Sequence, residues 1–306
     1  MKGGRWARRL LATALVGAPT AAAQTPAPPV FRSGVEAVYV DAFVSRSGQP
    51  VPGLQATDFE LKDNGVRQTL SLVAAESRPL LAVLVFDTSN SMAGERLAAL
   101  RSAAEAFLDG LRPNDQAALI AFAHEIEWLA GPSADKAEVR SALGRLRAEG
   151  VTGVYDALYA GIALSDVGVR PLVVLFTDGE DNVSILSRRQ LQEEAERSNA
   201  LIHVVGWQPS KVVLPLHFSE AALGTASEQT RALRKMAEVT GGRFWKADSP
   251  ARLREAFAAI ADAMGHRYLL QYEPRGVRRE GWHRIELRLR GRKGDVQARR
   301  GYWVGR

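Results

Sequence analysis

Five oxygen-bearing side chains at strand and helix junctions carry the chemistry legible in this sequence. They are Asp87, Ser89 and Ser91 in LLAVLVFDTSNSM, Thr152 in GVTGVYDAL, and Asp178 in VVLFTDGEDN. An apolar run ends in Asp87 and two serines follow at alternate positions, so in an extended loop the three oxygens point to one side. Two carboxylates and three hydroxyls, with no imidazole and no sulfur, make a hard donor set. Such a set selects Mg²⁺, Ca²⁺ or Mn²⁺ over Zn²⁺ or Cu²⁺, and Mg²⁺ commonly keeps open positions. Each residue alone has a plainer reading. Asp87 could cap the helix expected near Glu95, and Asp178-Gly179 could be an ordinary turn. Together with Thr152 they favour a metal site. Asp156 reads as a helix residue supporting the loop, and Glu180 and Asp181 as solvated charge.

Enzymatic readings do poorly, and the chain is expected not to be an enzyme. There is no Gly-x-Ser-x-Gly, no Walker loop and no paired-histidine helix. His124, His203, His217, His266 and His283 are scattered, and His124, at the end of a strand, reads as a surface residue. The Asp-x-Ser-x-Ser loop is superficially like that of phosphatases with an aspartate nucleophile. Ser89 stands where those use a second aspartate, so the general acid is missing.

The elements that must position these oxygens follow an α/β grammar. Residues 77–265 alternate apolar strands (PLLAVLVFD, DQAALIAFA, PLVVLFTD, ALIHVVGW, RFWKA) with helices over 95–111, 135–147, 154–167, 187–199, 230–239 and 250–263. That pattern predicts a doubly wound, mostly parallel sheet, in which ligands bind at the carboxyl ends of the strands. Asp87 and Asp178 fall at two such ends. Residues 208–229 read as a long insertion near the rim of the site.

On either side the chain is β-rich. Residues 33–76 hold a strand over 35–45 and a hairpin over 58–73 around Asp63-Asn64-Gly65. Residues 266–306 hold RYLLQYEP, WHRIELRLRG and VQARRGYWV. The simplest arrangement pairs the two segments into one small β-sandwich that receives the α/β domain as an insertion; two separate β caps are the alternative. Tyr268, Tyr272, Trp282, Tyr302 and Trp303 fit a sandwich core. The tail carries 12 Lys and Arg against 4 Asp and Glu, alternating with apolar residues as the solvated face of a strand does, so no nucleic-acid partner is expected.

Residues 1–23 read as a secretory signal, with Lys2, Arg5, Arg8 and Arg9 before LLATALVGA and a small-residue cleavage site after Ala23. Residues 24–32 are a Pro-rich linker. Cleavage would lower the net charge from +6 to +2, since four basic residues and no acids are removed. The mature chain is then periplasmic or extracellular, with no stable membrane span and no disulfide, because it has no cysteine.

The residues carry a resemblance. Asp87-x-Ser89-x-Ser91, Thr152 and Asp178 resemble the metal-ion-dependent adhesion site of von Willebrand factor type A domains. VSRSGQPVPGLQATDFELKDNGVRQTL and the C-terminal strands are similar to the bacterial secreted VWFA-related family. The resemblance covers essentially the mature chain. It implies that Ser89, Ser91 and Thr152 bind the cation through hydroxyls while Asp87 and Asp178 act largely through water. The cation then stays electrophilic and accepts an Asp or Glu from a protein partner. The family's threonine usually follows two glycines; here it follows Gly150-Val151. Two further function classes stand beside a metal-dependent binding module: an envelope-assembly protein in which the metal only rigidifies loops, and a divalent-metal hydrolase.

Overall fold

β1 (Val38–Arg46) alternates faithfully, burying Val40, Ala42 and Val44 completely. A computed structural model describes residues 37–74, 78–168, 170–178, 181–208, 220–278 and 280–305, with backbone alone for 220–227. The expected signal (1–23) and linker (24–32) lie outside the described residues. β1 turns through Ser47-Gly48, both at positive φ, into β2 (Gln49–Pro50). β3 (Phe59–Asp63) and β4 (Val66–Arg67) form the hairpin at Asn64-Gly65, with φ of 46° and 83°. The predicted second arm does not run on to Val73. Its pairing ends at Arg67, where the Gln68 side-chain amide donates to Arg275 O at 3.0 Å and accepts from Arg275 N–H at 2.9 Å. The next strand, β5 (Ser71–Val73), joins another sheet.

The α/β body runs β6 (Leu80–Asp87), α1 (Glu95–Asp109), β7 (Gln116–Phe122), β8 (Ile126–Ser133), α2 (Lys136–Leu143), α3 (Val154–Ser165), β9 (Arg170–Thr177), α4 (Arg188–Arg197), β10 (Leu201–Trp207), α5 (Glu220–Val239), β11 (Phe244–Ala247) and α6 (Pro250–Gly265). Sheet order is β11-β10-β9-β6-β7-β8, parallel except for β8. All eight residues of central β6 are buried, because α1, α2 and α6 cover one face and α3, α4 and α5 the other. Two features depart from the sequence reading. β8 was not expected: it holds Gly131 and Pro132, is largely exposed and pairs with β7 through irregular register, so it lacks a strand's apolar signature. α5 starts at Glu220 rather than Thr230, so the latter part of the supposed insertion is helix; residues 209–219 lie outside the described residues.

The chain ends in β12 (Tyr268–Tyr272), β13 (Gly281–Leu289), β14 (Asp295–Gln297) and β15 (Gly301–Val304). β14, β1, β12 and β5 form one sheet with β2 on β1, and β15, β13, β3 and β4 form another. Side chains of both sheets share one core, including Val40, Phe59, Leu61, Leu270, Tyr272, Ile285 and Tyr302. VQARRGYWV is therefore two strands in two sheets rather than one. Trp303 also departs from the core expected of it: it is 40% exposed and packs edge-on against Trp282. Tyr272 and Tyr302 are buried and both donate to Asp63 Oδ2.

This β layer grips the α/β body at the amino end of β9. Asp41 on β1 pairs with Arg170, the first residue of β9, at 2.6 Å, and with Arg267, whose guanidinium also reaches Gly241 O. Arg299 donates to Ser198 O and Asn199 Oδ1. The carboxyl ends of β6 and β9 point away from this joint.

Candidate metal centre

β6 delivers Asp87 to its last position with no exposed surface. Its carboxylate is tied to the protein on both oxygens. Oδ1 accepts from Ser89 N–H at 2.9 Å and from the Ser89 hydroxyl at 2.6 Å; Oδ2 accepts from the Thr177 hydroxyl at 2.8 Å. The Ser89 and Ser91 hydroxyls are 3.1 Å apart. With the Ser89 proton committed to Asp87, Ser91 is the donor in that contact. The serines converge through a 3₁₀ turn over Asn90–Met92 rather than through the extended chain expected from their alternation. Asp87 is not a cap for α1: Gly94 occupies that position, with no side-chain cap.

Thr152 and Asp178 come from two further loops. Asp178 follows the last residue of β9 and is half-buried. Thr152 is buried, precedes α3, and its hydroxyl has no hydrogen-bond partner among the described residues. Backbone hydrogen bonds stitch the loops together: Thr88 N–H to Phe122 O, Glu149 N–H to Thr88 O, Asn90 N–H to Gly150 O, Gly153 N–H to Ala123 O, and Asn182 N–H to Thr152 O. Burial pushes the Asp87 carboxyl up to about 6, and the Asp178 charge adds to the rise against the pull of the Ser89 and Thr177 hydrogen bonds. The two carboxylates thus repel each other across the ends of neighbouring strands, where a cation relieves both. The donors suit a hard divalent ion. Among the described residues no three His, Cys, Asp or Glu side chains form a metal-holding group, and this set has only two carboxylates.

The family model for the von Willebrand factor type A domain matches residues 82–180, a stretch holding all five oxygens. The chain contains a type A domain. A UPF0353 protein of Mycolicibacterium paratuberculosis is 26% identical over 232 residues, covering 70% of this chain and 69% of that one. A second, from Mycobacterium marinum, is 23% identical, covering 67% and 65%. The chain thus spans about two thirds of the length of these relatives. Among solved structures, a von Willebrand factor type A protein from Catenulispora acidiphila superposes with a TM-score of 0.52 at 16% identity, covering 85% of this chain and 75% of that one. The pilus adhesin SpaC from Lactobacillus rhamnosus GG gives 0.50 at 16% identity, covering 75% and 35%. These likenesses establish the fold, a type A α/β architecture.

Within this type A domain the residues around the five have definite tasks. Thr177 is the one that sequence reading missed. The parallel pairing of Phe86 with Phe176 sets it beside Asp87, and only register could have revealed it. Asp156 supports the loop as expected, accepting from Ile185 N–H at 2.8 Å and Leu186 N–H at 2.9 Å. Asp181, expected to be solvated, is instead half-buried and accepts from the Ser184 hydroxyl at 2.5 Å; Glu180 lies outside the described residues. Gly150 stands at φ +72°, the left-handed region that favours glycine, and a Cβ there would also displace the exposed His124 ring, whose Nδ1 lies 2.1 Å from that position. His124 is exposed, and its ring lies against Gly150.

Proposed function

We propose that this chain is a secreted, metal-dependent protein-binding module. In this reading Ser89, Ser91 and Thr152 hold a divalent cation, Mg²⁺ first and Ca²⁺ or Mn²⁺ as substitutes, with Asp87 and Asp178 supplying charge. The single observation that supports it most is the oxygen cluster at the end of β6: a buried carboxylate with two hydroxyls in series at 2.6 and 3.1 Å. The cation supplies an electrophilic point for a carboxylate. Neutral hydroxyls leave its charge largely uncancelled, so an Asp or Glu of a partner is favoured there. The chain's own residues do the rest. Asp87 orients Ser89 through two hydrogen bonds, Thr177 fixes Asp87, and the backbone links between loops hold Thr152 alongside.

The type A fold supports an interaction role, and SpaC is a pilus adhesin. No helix among the described residues is long and apolar enough to cross a membrane. With the signal-like residues 1–23, this favours a periplasmic or extracellular protein. A non-enzymatic role is part of the same proposal. The loops already share five backbone hydrogen bonds, which favours binding over a cation that only rigidifies them.

The test is capture of partners from the exported proteome by the mature chain, in Mg²⁺ and in EDTA, beside titration of Mg²⁺ by calorimetry. Mg²⁺ uptake with EDTA-sensitive capture is the expected result. No uptake of Mg²⁺, Ca²⁺ or Mn²⁺ would overturn the proposal.

A further inference from the structure

The two sheets of the β layer have different outer sides. β1 turns Asp41 toward the α/β body, so the first sheet is covered there. The second sheet, β15-β13-β3-β4, lies across the shared core and turns its outer side to solvent. Alternation decides what it shows. On β13, His283 and Ile285 are buried, so Trp282, Arg284, Glu286 and Arg288 point outward, and Arg290 follows them. Register sets Lys62 of β3 beside Glu286, and Arg67 of β4 beside Lys62. This side thus carries Lys62, Arg67, Arg284, Arg288 and Arg290 against Glu60 and Glu286. The charges are also layered. Glu60 is buried beneath Arg67 and Arg288, whose side chains are 60% and 67% exposed, and Arg284 is 72% exposed beside Glu286. Positive charge is outermost.

Two indoles stand at one end of the same side. Trp282 lies directly opposite Trp303, and the rings meet edge-on with centroids 6.1 Å apart. Gly301 makes room for them: a Cβ there would lie 2.2 Å from Trp282 Cζ2, so that ring rests across the strand. Trp303 stays 40% exposed although the Arg197 guanidinium of α4 lies over its ring, 5.3 Å from the centroid. Indoles fixed at a surface among guanidinium groups match the headgroup level of a bilayer, where phosphates meet the cations and amphipathic rings enter the interface.

We propose that the outer side of this sheet docks the chain on an anionic phospholipid surface. Lys62 and the arginines meet lipid phosphates, and Trp303 enters the interface beside them. A broad sheet face suits a flat charged surface; a single polyanionic chain is held better by a groove. The docking is peripheral and independent of the metal-dependent reading. The carboxyl ends of β6 and β9 point away from the joint between the β layer and the α/β body, so a chain seated this way keeps its oxygen cluster clear of lipid and open to a partner.

The mature chain is sedimented with vesicles of phosphatidylcholine and with vesicles of equimolar phosphatidylcholine and phosphatidylglycerol, in EDTA and in Mg²⁺. Binding to the anionic vesicles is expected, equal in EDTA and Mg²⁺ and falling as salt rises. Lys62→Ser with Arg284→Ser and Arg290→Ser spares both partners of Glu60. It should weaken binding about a hundredfold, since each basic residue at such a surface is worth about fivefold. Arg284→Lys with Arg290→Lys should keep it, and an unchanged thermal midpoint shows that the variants are folded. Tryptophan emission should shift to the blue on docking, and Trp303→Phe should lose most of that shift, a readout that does not depend on the triple variant. Equal binding to both vesicles, binding to neither, or binding that survives the triple variant overturns the proposal. So does binding lost in EDTA, which would put the lipid at the cation. Retention on dextran sulfate or DNA without binding to anionic vesicles overturns the lipid assignment in favour of another polyanion.

Discussion

The Thr177 hydroxyl donates to Asp87 Oδ2 at 2.8 Å, across the carboxyl ends of two neighbouring parallel strands. Both residues have no exposed surface. A carboxylate buried this deeply depends on every donor it has, and Thr177 is the one supplied by the last residue of β9, directly before Asp178. Thr177→Val keeps the shape and removes the hydroxyl. It is expected to cost about 1–3 kcal/mol in urea unfolding, the penalty for leaving a buried acceptor short of a partner, and to weaken Mg²⁺ uptake. An unchanged unfolding midpoint would show that the bond does not steady Asp87.

Asp87 also sets a pH dependence. Its carboxyl stands at about 6 in the folded chain against an ordinary 3.8, so the folded state holds the proton more tightly than the unfolded one. The associated stability is present below pH 3.8 and is lost as pH rises through about 6. At 1.36 kcal/mol per unit this amounts to about 3 kcal/mol in the metal-free protein. Thermal unfolding in EDTA between pH 4 and 7 checks it, with Asp87→Asn flattening the profile. Mg²⁺ affinity should move oppositely, weakening below pH 6 because the cation must displace a proton.

Ser89→Ala with Thr152→Ala separates a binding site from a structural one. The Thr152 hydroxyl has no partner among the described residues, and Ser89 retains its backbone bond to Asp87. The double variant should therefore lose Mg²⁺ uptake outright, while its stability in EDTA falls by about 1–3 kcal/mol, the cost of the Ser89 hydroxyl bond that the buried Asp87 carboxylate loses. A large loss of stability with partner capture intact would support the reading in which the cation only braces the loops.

The joint at the opposite end makes a stability prediction. Burial raises the Asp41 carboxyl, but the Arg170 and Arg267 guanidinium groups outweigh it and hold the group below its ordinary value. Asp41→Ala leaves two nearly buried cations without their shared partner, at a cost of about 3–5 kcal/mol. Hydrogen exchange should show faster opening around Gly241 and the start of β9, while Mg²⁺ uptake at the far end persists in the folded fraction.

What could be read from one dimension was whatever local pattern encodes. Strands buried on both faces, such as β6 and β9, betray themselves as unbroken apolar runs, and the amphipathic stripes of α1 and α6 mark helices, because burial acts on each residue in turn. The oxygens at the ends of those strands were legible for the same reason. β8 was hidden because an edge strand is neither buried nor regular, and it holds Gly131 and Pro132, residues uncommon inside strands. The strand switch after Arg67 and the division of VQARRGYWV between two sheets were equally invisible, since each is decided by hydrogen bonds to residues far along the chain, Gln68 with Arg275 and Arg300 with Val239. Only the folded chain could place Thr177 under Asp87, turn the serines together through a 3₁₀ turn and draw Asp181 into a loop network. Those relationships depend on register and on loop-to-loop bonds, and neither leaves a periodic trace in sequence.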